Sequence, residues 1–173
     1  MQDGLKSLAR VFGVFARITL YLSGTCLILM TIVVAAQVFM RYVIGSSIVW
    51  SEPLAVQFMG WFILLGAAVG TREGYHLSFD VLLMFLPQGV VRVLHSVSDI
   101  VVGGFGAGMF WYGLELARRT WGSKMPTLGL PDGTNFLPLV LGGLLIVLFS
   151  VERLLRRAAG MQTARFGEDM VED

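Results

Sequence analysis

The stretch ITLYLSGTCLILMTIVVAAQVFM, residues 18–40, decides the fold because it runs for 23 residues without a charged side chain. A helix needs about 20 largely apolar residues to cross the hydrocarbon core of a bilayer, and an α-helix rises about 1.5 Å per residue. The stretch is therefore long enough to cross a membrane as one helix. It predicts a transmembrane span near the start of the chain.

Three further apolar stretches follow, at about 54–71, 97–117 and 134–151, and their charged residues lie near the ends. Charged residues make up 14% of the 173-residue chain, against roughly a quarter in soluble domains. We predict an all-α membrane protein with four transmembrane helices in a single domain at 18–157. A basic amphipathic leader at 1–17 precedes it, a short polar C-terminal tail at 158–173 follows it, and an amphipathic segment separates the second and third spans.

The leader has two interpretations. Its apolar continuation is longer than the 7–15 residues typical of a cleaved signal, so we predict that the first span is retained. Lys6, Arg10, Gly13 and Arg17 fall on one side of a helical wheel. The pattern is typical of an interfacial helix lying on anionic membrane lipid, and equally of a basic flank that extends the first span and fixes its orientation.

The second amphipathic segment lies at 72–96, which is too long for a tight turn. Glu73, His76 and Asp80 share one face of a helix there. We predict that this segment lies along the inner surface of the membrane before the third span begins.

Two features predict helix packing inside the membrane. A polar face early in the third span should point at protein rather than lipid; its residues are Arg92, His95, Ser96 and Asp99. Small residues four positions apart let membrane helices approach closely, within the chain or against a partner. The candidate helix-packing pairs are Gly66 with Gly70 and Gly104 with Gly108.

Basic residues predict the orientation, because cytoplasmic loops are enriched in lysine and arginine. If both termini are cytoplasmic, nine of the 13 basic residues lie on the inner side, and Arg41, Arg118, Arg119 and Lys124 lie on the outer side. We therefore predict a multi-pass protein of the bacterial inner membrane with both termini in the cytoplasm. The net charge of +1 gives no indication of a nucleic-acid partner.

The spans contain little that could move an ion or a substrate. Transporters usually keep ionisable groups near the bilayer midplane, whereas the strongly polar residues well inside these spans are Gln37 and Gln57. This pattern favours a helper subunit over the moving part of a transporter.

The sequence also offers little for catalysis or metal binding. Cys26 is the single cysteine, and the two histidines are His76 and His95, which excludes a cysteine-based zinc or iron–sulfur site. Glu73-x-x-His76 has the spacing of a di-iron ligand pair, but such sites need a second pair and two further carboxylates. No nucleophile–base pair or phosphate-binding glycine loop is present. We therefore predict that the chain is not an enzyme and that it binds neither a metal nor a cofactor. The two histidines leave one alternative open, a haem- or quinone-associated membrane anchor of a respiratory enzyme.

Residues beside the outer ends of the spans have local explanations. Ser51 is a good helix N-cap, Glu52 favours the positive end of the helix dipole, and Pro53 tolerates an early helical position. Glu115 can pair with Arg118 or Arg119 at helical spacing. Arg118, Arg119 and Lys124 also form an outer basic patch that could contact an acidic partner.

Three motifs in order resemble a known family. Arg41-Tyr42-Val43-Ile44-Gly45, followed by Trp50-Ser51-Glu52, is similar to the junction between the first two spans of the small membrane subunits of tripartite ATP-independent periplasmic (TRAP) transporters, the DctQ-like family. Arg72-Glu73-Gly74-x-His76-x-x-x-Asp80 resembles that family's R-E-x-x-H-x-x-x-D signature, and Pro126-Thr127-Leu128-Gly129-Leu130-Pro131 resembles its P-A-L-G-x-P turn. The matching structural residues are Arg41, Trp50, Glu52, Arg72, Glu73, His76 and Asp80.

The resemblance implies a non-catalytic scaffold. Members of this family belong to sodium-coupled, binding-protein-dependent secondary transporters that import organic acids such as carboxylates. The implied partners are a large multi-span membrane subunit, which carries the substrate and ion sites, and a periplasmic solute-binding protein. This chain departs from the family pattern at Pro53, at Thr127 and in the segment 132–135, which all belong to the predicted outer surface.

Overall fold

The computed structural model describes residues 2–74 and 88–158, and four long helices account for most of them. Helix α1 is Gln2–Phe39, α2 is Ser51–Glu73, α3 is Gln88–Thr120 and α4 is Leu137–Ala158. Each contains a segment long and apolar enough to cross a membrane, which confirms the predicted all-α fold with four spans. The C-terminal tail after residue 158 lies outside the described residues.

Helix α1 is continuous through the boundary expected between leader and first span. It runs from Gln2 to Phe39 as one α-helix and ends in a π-helical turn, Met40–Ile44. Gly45 then adopts a left-handed conformation with φ of 74°, and its N–H donates to the carbonyl of Met40. Glycine suits this position because it has no Cβ to oppose a positive φ.

The segment expected to lie along the membrane surface is only partly described. Arg72 and Glu73 belong to the last turn of α2, and residues from Gln88 onward belong to α3. His76 and Asp80 lie outside the described residues.

The connection between α3 and α4 forms a compact turn. Asp132 N–H donates to the carbonyl of Ser123 and Met125 N–H donates to that of Leu130, each at 2.9 Å. Gly129 takes a positive φ of 66° between them. A 3₁₀ turn, Asp132–Phe136, then leads directly into α4.

The helices are packed in the order α1, α2, α4, α3. Helix α1 packs mainly on α2, α2 also packs on α4, and α4 packs mainly on α3. The described core contains Ala16, Ala68, Ile146 and Phe149, and the ring of Phe12 meets that of Phe149 edge-on at 6.3 Å between centroids. Because α2 and α3 both lie on α4, side chains of α4 can reach both helices.

Candidate functional site

Charged side chains from three helices meet at one end of the bundle. This end contains the C-terminus of α2, the N-terminal part of α3 and the C-terminal part of α4. Six charged side chains of the described residues meet there, and each has less than one sixth of its surface exposed. We call them the ionic cluster: Arg72, Asp99, Glu152, Arg153, Arg156 and Arg157.

One branch of the ionic cluster is built around Glu152. Arg72 of α2 donates from Nε to Glu152 Oε2 at 3.2 Å. Arg156, one turn along α4, approaches the other carboxylate oxygen at 2.8 Å. The two oxygens of one carboxylate therefore face guanidinium groups from different helices, so the buried negative charge is paired on both sides.

The other branch is built around Asp99 of α3, whose side chain is fully buried. Arg153 Nε donates to Asp99 Oδ1 at 3.1 Å, and Arg157 Nη2 lies 2.8 Å from Oδ2. Arg157 also donates to the hydroxyl of Ser96 at 3.2 Å. These contacts confirm that the polar face of α3 around Asp99 points at protein.

Arg153 joins this branch to the end of α2. Its Nη1 donates to the backbone carbonyl of Arg72 at 2.8 Å while its Nε binds Asp99. The last carbonyls of a helix have no partner within the helix, and a cation is favourable at this end of the helix dipole. One side chain of α4 therefore contacts both α2 and α3.

The chemistry of the ionic cluster is that of a cross-link. Buried charges must be paired, and removing one partner from a buried pair costs about 3–5 kcal/mol because the other charge is left uncompensated. Within residues 2–74 and 88–158, no group of three metal-binding side chains is found. The arrangement fixes the rotation of three helices about their axes.

The sequence motifs at the opposite end lie on the surface. Arg41 sits in the π-helical turn, with its guanidinium carbon 5.9 Å from the ring centre of Tyr42. Trp50 is 48% exposed and directly precedes α2, and Glu52 is exposed in the first turn of that helix. The described contacts do not bring these residues to the ionic cluster.

The capping role predicted for Ser51 is wrong. Helix α2 begins at Ser51, Trp50 occupies the N-cap position, and no side-chain capping hydrogen bond is present there. The Ser51 hydroxyl instead donates to the carbonyl of Ile48 at 2.6 Å, and the residue is almost fully buried. The Ile48 carbonyl also accepts the backbone N–H of Ser51 at 3.3 Å, so both donors of Ser51 turn back toward the loop.

The outer basic patch is exposed, as its sequence position predicts. Arg118, Arg119 and Lys124 are all exposed. Arg119 forms the predicted pair with Glu115, one turn earlier on α3. This pair lies on the surface, where ion pairs contribute little to stability.

The candidate packing glycines have different surroundings. A Cβ at Gly66 would lie 3.3 Å from Ser23 Oγ, so α1 approaches α2 closely there. A Cβ at Gly104 or Gly108 would meet no atom within 4 Å. These two glycines do not pack against another described part of the chain, and contact with a partner remains a prediction for them.

The close approach of α3 and α4 depends on other glycines. A Cβ at Gly143 would lie 2.7 Å from the backbone nitrogen of Phe110 and 2.8 Å from the carbonyl oxygen of Gly106. Sequence reasoning did not assign Gly143 to a particular helix contact. Small-residue spacing alone cannot tell which side of a helix faces a neighbour.

Sequence reasoning also missed most of the ionic cluster. It treated Arg153, Arg156 and Arg157 as cytoplasmic loop charges that orient the protein, and it gave Glu152 no role. Glu152 and Arg156 have the i, i+4 spacing of a helical ion pair, so one local signal was present. Arg72 and Glu152 are 80 residues apart, and no local pattern predicts their pairing.

Comparison with known proteins decides the family. The sequence model of the family described as tripartite ATP-independent periplasmic transporters, DctQ component, matches residues 30–160. The chain belongs to this family. Because the family is a component of transporters, the prediction that the chain is not an enzyme is confirmed, and the alternative of a respiratory anchor is not supported.

Individual relatives agree with the family match. A putative TRAP transporter small permease protein of Haemophilus influenzae is 27% identical over 137 residues, which cover 75% of this chain and 80% of that protein. The C4-dicarboxylate TRAP transporter small permease proteins DctQ of Vibrio cholerae and Rhodobacter capsulatus are 26% and 30% identical over 114 and 132 residues. Those matches cover 62% and 72% of this chain, but about half of each relative's own length, 48% and 53%.

One relative is a much longer protein. The sialic acid TRAP transporter permease protein SiaT of Haemophilus influenzae is 28% identical to this chain over 82 residues. The match covers 47% of this chain and 13% of that protein. A region similar to this chain is therefore a small part of a larger permease there.

Proposed function

We propose that this chain is the non-catalytic scaffold subunit of a sodium-coupled, binding-protein-dependent secondary transporter that imports organic acids such as carboxylates. The supporting observation is where the charges lie. The first two spans, 18–40 and 54–71, contain no charged residue, and the buried charges of the described helices form ion pairs at one end. The ion and substrate sites would then belong to the large subunit, against which this chain provides a fixed brace.

The names of the relatives support the substrate class. Two of them are named for C4-dicarboxylates and one for sialic acid, which are all organic acids. The proposed partners are a large multi-span membrane subunit, a periplasmic solute-binding protein and membrane lipid. The outer basic patch would contact the binding protein.

The first test is co-purification. The tagged chain would be extracted from native membranes in a mild detergent, and its partners would be identified by mass spectrometry. We expect a stoichiometric large permease, with or without a solute-binding protein. Recovery with a dehydrogenase or a haem protein, or recovery alone, would contradict the proposal.

Transport measured in reconstituted proteoliposomes tests the proposed coupling ion and substrate class. Proteoliposomes holding the large and small subunits would be given the binding protein and a labelled dicarboxylate, with an inward sodium gradient or an equal potassium gradient. We expect uptake with sodium and none when the small subunit is omitted. Uptake by the small subunit alone would contradict the scaffold role.

The proposed orientation places the ionic cluster at the cytoplasmic side, with both termini in the cytoplasm. It is supported by the positive-inside tendency, since Arg72, Arg153, Arg156 and Arg157 all lie at this end. A fluorescent protein that folds only in the cytoplasm, fused to the C-terminus, should fluoresce. Activity from a periplasm-dependent phosphatase at the same position would reverse the assignment.

Substitutions at Arg72 and Asp80, two residues of the family signature, test the scaffold role directly. Arg72→Ala removes a guanidinium from Glu152, and Asp80→Ala removes the last acid of the signature. We expect both changes to lower the amount of assembled complex and the uptake rate, without changing which organic acids compete for uptake. A changed competition profile in a normally assembled complex would contradict the proposal.

A further inference from the structure

The residue after α2 is constrained by a side chain from another helix. Gly74 ends α2 with φ of 78°, a conformation that glycine adopts without strain. A Cβ at this position would also lie 2.8 Å from Arg153 Nη1 and 3.2 Å from Nη2. Gly74 therefore turns the chain and leaves space for a guanidinium from α4.

That guanidinium binds two helices at once. Arg153 donates from Nε to Asp99 of α3 at 3.1 Å and from Nη1 to the carbonyl of Arg72 in α2 at 2.8 Å. Its side chain is 5% exposed, so water competes little for these donors. A planar guanidinium has donors on separate edges in a fixed geometry, which suits it to hold two acceptors at a defined separation.

We propose that Arg153 is a positioning residue that sets the separation of α2 and α3 at the ionic cluster, and that Gly74 is required there to admit its guanidinium. Helices α2 and α3 both pack on α4, so what α4 places between them contributes to their separation. The proposal rests on the scaffold function in one respect. A brace must present a fixed surface to the large subunit, and Arg153 would keep that surface constant.

Lysine at this position distinguishes geometry from charge. Its ammonium retains the positive charge beside Asp99, but a single nitrogen on a flexible stem cannot hold the two acceptors as a planar fork does. A purely electrostatic role predicts that Arg153→Lys behaves like the parent protein. A positioning role predicts that it behaves like Arg153→Gln.

The separation can be measured between two spin labels. The single cysteine, Cys26, would be replaced by serine, and cysteines would be introduced at Ala67 and Val97, which are exposed on α2 and α3. The full-length chain in lipid nanodiscs would then be measured by double electron–electron resonance. We expect one narrow distance distribution with Arg153, and a broadened or shifted one with Arg153→Lys and with Arg153→Gln.

Arg119→Lys is the matched control, because Arg119 pairs with a carboxylate on the exposed surface. It should leave the distance distribution unchanged. An unchanged distribution in Arg153→Lys would overturn the proposal. If Arg153→Gln does not fold, the lysine variant alone decides this measurement.

A double-mutant comparison tests the role of Gly74 independently. Gly74→Ala adds both backbone strain and a clash with the guanidinium of Arg153. In the Arg153→Gln or Arg153→Lys background the guanidinium is absent, so only the backbone strain remains. We expect Gly74→Ala to lower the thermal midpoint by several degrees more in the parent than in the Arg153→Gln or Arg153→Lys background. Equal losses in all backgrounds would overturn the proposal.

Both measurements use the small subunit without its partners. Their failure would leave the scaffold function standing, since co-purification and uptake are tested on the parent chain together with its partners. Conversely, recovery of the chain without a large permease would refute the scaffold function and leave the distance measurement valid.

Discussion

The two ends of the helix bundle treat charge in opposite ways. At the ionic cluster, two carboxylates and four guanidiniums are nearly buried and are paired across three helices. At the other end, Arg118, Arg119 and Lys124 are exposed, and the ion pair found there joins neighbouring turns of one helix. Charges at the first end hold the chain together, while those at the second remain accessible to a partner.

The largest expected effect is at Asp99. Replacing Asp99 by alanine leaves Arg153 and Arg157 without their buried carboxylate, so we expect a loss of about 3–5 kcal/mol in the stability of the subunit. Thermal unfolding of the purified chain, followed by tryptophan fluorescence, measures this loss. Glu115→Ala is the matched control at the exposed end. A similar drop in both variants would remove the contrast between the two ends.

The next largest change in stability is expected at a glycine that faces another helix, compared with one that faces outward. Gly143→Ala places a methyl group against the backbone of α3, and overpacking of this kind costs about 1–3 kcal/mol. Gly108→Ala meets open space and should be neutral or slightly stabilising, because alanine has the higher helix propensity. The thermal midpoints of the two variants should therefore move apart. Equal destabilisation would show that Gly108 also packs within the isolated subunit.

A smaller loss of stability is expected at Ser51, a buried polar residue at the end of the bundle opposite the ionic cluster. Ser51→Ala removes the hydroxyl that binds the carbonyl of Ile48, and loss of such a hydrogen bond costs about 1 kcal/mol. Ser46→Ala, at an exposed position in the same loop, is the control. If the two variants unfold at the same temperature, Ser51 does not secure this loop.

The smallest effect on stability is at the outer basic patch, and it is the effect most specific to the proposed scaffold function. Arg118→Ala combined with Lys124→Ala should leave the free energy of unfolding within about 0.5 kcal/mol of the parent value, as surface changes usually do. Uptake at low concentrations of the binding protein should fall several-fold and approach the parent rate at saturation. An unchanged dependence on the binding protein would place its contact elsewhere.

Much of the fold could be predicted because membranes impose local rules. Apolar length indicates each span, and the pairing of Glu115 with Arg119 follows from helical spacing. The capping role of Ser51 was predicted wrongly, because a short polar side chain can bind either the helix or the preceding loop. The local sequence does not say which acceptor lies nearer.

The candidate site was harder to predict, because its residues come from distant parts of the chain. The sequence placed Arg72 in a signature and Asp99 on a protein-facing side, but it paired neither with a residue of α4. It also marked Gly104 and Gly108 for packing on spacing alone. The structure places Gly106 and Gly143 at the α3–α4 contact, whereas Gly104 and Gly108 face outward.

The sequence by itself determined that this is a four-span helical membrane protein with few polar groups inside its spans, and it carried the family signature. Those properties depend on residues near each other along one helix and on the length that a bilayer demands. Only the tertiary structure decided that Arg153 binds both Asp99 and the end of α2, and that Gly74 leaves space for it. Such contacts depend on how each helix is rotated against its neighbours, and that rotation is set by the close packing of all of them together.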